Sequence, residues 1–410
     1  VSDTVSRVLA LVLAVGIGGL PFYQPDATRV ALVGDTAPPH GALVAVVCLG
    51  VAVAWWSTQG RGYLWADPAW LTWNDFTTTR TTALTRRMVR GWLARWAALG
   101  YGTAVAGMVL GWSGILYAAA LFAGYGLLAI AAGRVKSPGM WESVLPLLLA
   151  ASAAWPIPLA VSAAAATAAG ILLLRKESLA ETAGREELVR GFSARMTQRV
   201  SVAFLDVWGL LPAARPLSLE RFFARRPVLP RYLLAGVFTR ARAVVGAGLI
   251  AVVVANLHWI FPGVPGVWWV GIGCYLAAIP FAAPVAQLHR TPGLRRWLNH
   301  SPLAVKTTAA ALLAVVAALW LALVTALGVD FHPAALVAVP LAAAAAVRSV
   351  TRDPIDFANV GVVDVGGVLV PMGLVVQVAR GIDALLLGIL LLGAGLVPLA
   401  GVVCAAALLF

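Results

Sequence analysis

The chain has 410 residues, of which 61% are hydrophobic and 11% charged, with a formal net charge of +13. Its apolar residues come in runs long enough to cross a bilayer as helices, so the composition excludes an ordinary water-soluble domain and points to an all-α polytopic membrane protein; the short alternating segments of a membrane barrel are missing. The positive charge comes from 27 Arg and 3 Lys gathered in the gaps between apolar runs, as the positive-inside rule expects, so membrane lipids and no nucleic acid are the expected partners.

The first apolar run, about 8–22, reads as a retained span rather than a cleaved signal. A polar loop at 23–41, with Pro25, Pro38 and Pro39, belongs outside. The second span, about 42–57, ends at Trp55 and Trp56, whose rings suit the headgroup level. The next loop carries Arg61, Arg80, Arg86, Arg87, Arg90 and Arg95 and is therefore cytoplasmic. Residues 97–133 hold no Asp, Glu, Lys or Arg, and Gly111 to Gly114 can turn the chain between two spans. From 143 to 174 the run is again uncharged, and Pro156 and Pro158 divide it into a hairpin of two short helices.

Between Arg175 and Arg231 lies the one long polar stretch. Leu188, Phe192, Met196, Val200 and Phe204 recur every four residues beside Arg190, Arg195 and Arg199, the pattern of an amphipathic helix on the inner leaflet. A second such piece, LSLERFFARRPVLPRY at 217–232, leads into spans at about 233–257 and 267–286. Lys306 opens a span to about 328, Asp330 and His332 mark an outside turn, and a further span ends at Arg348. The Gly-rich residues 349–383 are placed at the inner interface, and 384–410 make two last short spans.

Two short polar stretches organise this order. Asp67-Pro68 is followed by Trp73, and Thr291-Pro292 by Trp297, at the same offset, each between long apolar runs. Both are too short and too amphipathic to span, and are read as interfacial helices. Glu142 and Asp383 each open a terminal hairpin. The chain is thus expected to hold about 12 transmembrane helices as a 6+6 parallel repeat: a first six-span half at 1–175, an interfacial linker at 176–231 and a second half at 232–410.

Chemistry is marked by what is missing. No ionisable residue falls in the middle of an expected span, which disfavours ion coupling. There is no phosphate loop, no HExxH and no GxSxG. Cys48, Cys274 and Cys404 sit in apolar runs without CxxC spacing, so neither a disulfide framework nor a metal site is expected. An enzyme acting on a lipid-linked substrate would need an outside carboxylate, and Asp26, Asp35 and Asp330 are the candidates. A scaffold without transport activity is a third reading.

In these stretches the chain resembles the type-2 ABC exporter permeases. LSLERFFARRPVLPRY resembles that family's connecting helix, and ADPAWLTWNDF and RTPGLRRWLNHSP resemble its coupling helices. The resemblance implies a multi-pass subunit of the cell's inner (plasma) membrane that is not itself an enzyme. It implies a cytoplasmic ABC ATPase dimer as partner, with ATP and Mg bound there and no cofactor in this chain. Docking would fall to Asp67, Trp70, Trp73 and Asp75 in the first half and to Arg295, Arg296, Trp297 and His300 in the second. The family carries one six-span half per chain, whereas this chain carries two, so one copy is expected to pair with two ATPase subunits.

Overall fold

The computed structural model describes residues 19, 22–34, 37–58, 62–203, 211, 228–330, 333–353, 362–365, 368–371, 377 and 379–409. Nearly all of them are helical. The departure from helix is a two-stranded antiparallel hairpin, β1 (Val362–Val365) with β2 (Val368–Pro371), in which Val362 pairs with Pro371 and Val365 with Val368. Six described helices are long and apolar enough to cross a membrane, and six further apolar helices run 10–17 residues. The chain divides into two compact units, one of residues 1–195 with 259–264 and one of 196–258 with 265–410.

In the first unit, the expected outside loop contains a helix, α1 (Pro25–Val33), which starts with Pro25 in its first turn and has Asp26 there to meet the helix dipole. Then follow α2 (Ala42–Trp56), α3 (Pro68–Asn74) and α4 (Thr79–Leu110). The expected Arg-rich loop is corrected here: Arg80 to Arg95 ride on the first half of the 32-residue α4. The reason is a four-residue spacing, since Leu84, Met88, Trp92 and Trp96 are all buried along one face while the arginines occupy the others. Gly111 and Gly114, both at positive φ, turn the chain into α5 (Ile115–Val135) as expected. α6 (Trp141–Ala151) and α7 (Pro156–Leu174) form the hairpin broken at Pro156. At 1.5 Å per residue α6 extends about 16 Å, roughly half a hydrocarbon core, so it does not cross alone.

The tightest packing in this unit is α5 on α7. A Cβ on Gly124 would stand 2.8 Å from the Ala163 carbonyl oxygen, and one on Gly170 would stand 3.1 Å from the Leu128 nitrogen. Small residues let the two backbones approach where apolar side chains gain nothing by avoiding lipid. The short α8 (Leu179–Thr182) and the long α9 (Arg185–Ala203) close the unit's polar side. Leu188 is fully buried, Phe192 is half-buried, and Met196 and Val200 are exposed, as an amphipathic surface helix requires.

In the second unit the expected single span at 233–257 is two helices, α10 (Val228–Phe238) and α11 (Ala243–Ile260), because the chain turns at 239–242. The span at 267–286 runs on to Arg290 and is interrupted: α12 (Gly266–Ala278) passes through a 3-10 turn (Ile279–Ala282) into α13 (Ala283–Arg290). Pro280 and Pro284 remove ladder hydrogen bonds at that point. α14 (Pro292–Leu298) and α15 (Pro302–Ala326) follow. A 3-10 turn (Pro333–Val337) leads to α16 (Ala338–Val350), and α17 (Ile382–Gly393) and α18 (Val397–Leu409) end the chain. α16 is the centre: α12, α15, α17 and α18 all pack on it, and Ala342 to Val347 have no exposed surface. A helix of alanines crowded on every side is what such surroundings select.

The expected first span, apart from positions 19 and 22, lies outside the described residues, as do 217–227 of the expected connecting helix and most of 349–383 beyond the hairpin.

Candidate docking helices and the charged ends of the two units

The two short helices are built alike. α3 starts with Pro68, and the Asp67 side chain caps it by accepting the Ala69 N–H at 2.9 Å. α14 starts with Pro292 and stops at Asn299, which takes the left-handed conformation at φ 48° and returns its N–H to the Arg296 carbonyl. Each helix is seven residues long and buries one leucine, Leu71 or Leu298. Each carries its tryptophan at the sixth position, and both rings stand out from the surface: Trp73 is 83% exposed and Trp297 73%. Arg295, Arg296 and His300 are exposed beside Trp297.

The other expected docking residues of the first unit are engaged within it. Trp70 is half-buried with the Arg87 guanidinium 5.5 Å above its ring. Asp75 pairs with Arg80 at 3.4 Å, and Arg80 donates to the Ala183 carbonyl. Trp73, and Phe76 at 98% exposure, are the free aromatic surface of this end.

Sequence reasoning missed the layer that holds α3 in place. The guanidiniums of Arg87 and Arg195 approach the Trp65 ring at 4.5 and 5.3 Å, and the ring stacks with Phe192 of α9. Arg87 also donates to the Trp65 carbonyl at 3.0 Å, and Arg195 to the Gly62 carbonyl at 2.9 Å. Alternating Arg and aromatic residues at 61–65 and 87–95 are the signal that could have found it. Replacing Arg87 with Ala removes one hydrogen bond and two cation–π contacts and is expected to cost about 1–2 kcal/mol. Limited proteolysis should then cut between 62 and 67 sooner than in the parent.

Trp55 does not face outward: it is fully buried within the protein, while Trp56 is 43% exposed. Its ring meets Trp92 and Tyr125 edge-on at 5.4 and 5.8 Å, and its Nε1–H donates to Tyr63 Oη at 2.6 Å. Tyr63 in turn donates to Glu142 Oε2 at 2.7 Å, which also accepts the Gly139 N–H at 2.8 Å, and Glu142 Oε1 pairs with Lys136 at 2.5 Å. Burial, then the Glu142 charge and hydrogen bond, push the Tyr63 phenol far above its ordinary value, so it stays a donor.

The second unit also holds an acid against a base at the start of a helix. Asp383 opens α17, Oδ1 accepting the N–H groups of Gly381 and Ala384 at 2.6 and 2.7 Å and Oδ2 pairing with Arg348 of α16 at 3.2 Å. In each unit a base near the end of one helix pairs with an acid in the first turn of a later one.

A cleft of about 240 Å³ in the first unit is lined by Tyr63, Ser137, Leu179, Glu187 and Arg190, with Ser137 donating to Glu187 at 2.9 Å. Of the carboxylates considered for lipid-linked chemistry, Asp26 and Asp330 are exposed and Asp35 lies outside the described residues. No group of three His, Cys, Asp or Glu able to hold a metal occurs among the described residues. Cys48 and Cys274 are buried and Cys404 is half-buried, all as free thiols. Compared with protein-family models, with curated proteins and with solved structures, the chain matches none.

Proposed function

We propose that this chain is the multi-pass permease subunit of an ATP-binding-cassette exporter in the plasma membrane, moving an amphipathic or lipid-like substrate and driven by a separate ATPase dimer. The observation that carries the reading is the pair of seven-residue, proline-led helices, each set between apolar helices and each holding an exposed Trp at the same position. An exposed aromatic on a short, proline-led helix suits insertion into a pocket of a soluble partner. In this reading each ATPase subunit engages one short helix, and its closure on ATP biases a two-state membrane body. No catalytic side chain of this chain is required.

The test is purification of the intact chain with its partners and a native mass of the complex. Two ABC ATPase subunits per copy are expected, and Trp73→Ala with Trp297→Ala should release them while the membrane helices stay folded. A complex without an ATPase, or one indifferent to both substitutions, overturns the reading.

A further inference from the structure

Charge is gathered at one end of the second unit, where α13 and α16 finish and α15 begins. His289 of α13, Arg295 of α14 and Lys306 of α15 line a cleft of about 30 Å³, with Val285, Leu288 and Val305 as its apolar wall. Lys306 feels the positive charges of Arg380 and Arg348 and, against them, the negative charge of Asp353. The nearby carboxylates are shared: Asp383 pairs with Arg348 at 3.2 Å, and Asp353, 83% exposed, stands 3.5 Å from His289. Among the described residues, neither Lys306 nor Arg295 has a hydrogen bond or ion pair. Among the described residues, Lys306 and Arg295 therefore line this cleft with no carboxylate hydrogen-bonded or ion-paired to either.

We infer that this cleft binds a phosphoryl group, supplied by the headgroup of an anionic phospholipid. An anion placed between Lys306 and Arg295 relieves like-charge crowding and accepts charge-assisted hydrogen bonds from cations on two helices, with the His289 imidazole beside it. The cavity admits one or two oxygens but no sugar or base, so the body of the ligand stays outside it. Its apolar wall and its place at the ends of apolar helices fit the depth of a glycerol phosphate, where basic residues meet anionic lipid. The inference needs only that these helices lie in a bilayer and does not depend on an ATPase partner.

Full-length protein in nanodiscs of phosphatidylcholine with a small share of phosphatidylglycerol tests it, with bound lipid counted by native mass spectrometry. Retention of phosphatidylglycerol is expected, and Arg295→Gln, an exposed position that leaves the core alone, should weaken it about tenfold, the loss of one charge-assisted contact. Lys306→Gln should do the same and Lys306→Arg should restore binding, while Arg242→Gln, exposed elsewhere on the unit, should change nothing. Binding that persists in excess inorganic phosphate supports the lipid as source. Displacement by phosphate, with phosphate itself bound, overturns the lipid source and leaves a site for the free anion. Equal retention by the parent, Arg295→Gln and Lys306→Gln overturns the site.

Discussion

Replacing Trp92 with Ala is expected to destabilise the first unit by about 3–5 kcal/mol, the cost of removing a buried tryptophan from a packed core. Trp92 is 2% exposed on α4 and touches three aromatic neighbours: Trp55 at 5.4 Å, Tyr63 at 5.7 Å and Trp96 at 6.1 Å between centroids. The Arg95 guanidinium lies 5.5 Å over the same ring. Truncation thus leaves a cavity where α2 meets α4 and removes the surface that orients Tyr63. Thermal unfolding in detergent measures it, with Trp56→Ala as the comparison, because Trp56 is the sequence neighbour of Trp55 yet half-exposed. Trp56→Ala should stay within about 1 kcal/mol of the parent, as substitutions away from the core do. Equal losses from the two would show that the aromatic cluster is not the core of this unit.

Replacing Glu142 with Ala should cost about 2–4 kcal/mol, because three partners lose one buried acceptor. Tyr63 Oη and the Gly139 N–H are left without their bonds, and Lys136 loses its ion. Lys136 is half-exposed and can turn to solvent, which keeps the figure below that of a fully buried pair. Asp383→Ala removes the matching cap in the second unit but should cost only about 1 kcal/mol, since that side chain is 43% exposed and water replaces part of what is lost. The ratio of the two effects is the readout, and a larger loss at Asp383 would contradict the burial argument. The same network has a pH signature. The folded protein holds the Tyr63 proton more tightly than the unfolded chain does, so this stability is fully present below the ordinary tyrosine value of about 10 and declines as pH rises beyond it. Tyr63→Phe should lower stability at neutral pH and flatten that alkaline decline.

What was legible in the sequence was whatever a short window controls. Apolar runs named the helices, and the glycines at 111 and 114 and the proline at 156 ended them where the structure ends them. Proline followed at a fixed distance by tryptophan identified α3 and α14, because a proline at N1 and a short amphipathic turn are local properties. An acid opening a helix was legible at Glu142 and Asp383 for the same reason. Tertiary structure decided which faces those helices present. Charge count assigned 80–95 to a loop, but helix formation on that stretch is supported by burial of Leu84, Met88, Trp92 and Trp96 against other elements, which no local charge count can register. Trp55 and Trp56 are indistinguishable as a dipeptide, yet one lies inside the core and the other on its edge, since adjacent residues on a helix point about 100° apart. Trp70 and Trp73 differ likewise: Arg87, seventeen residues away, takes one and leaves the other in the open. The cleft beside Lys306 exists only because three helix ends and a turn meet there, a convergence of residues 285 to 351 that is a property of packing alone.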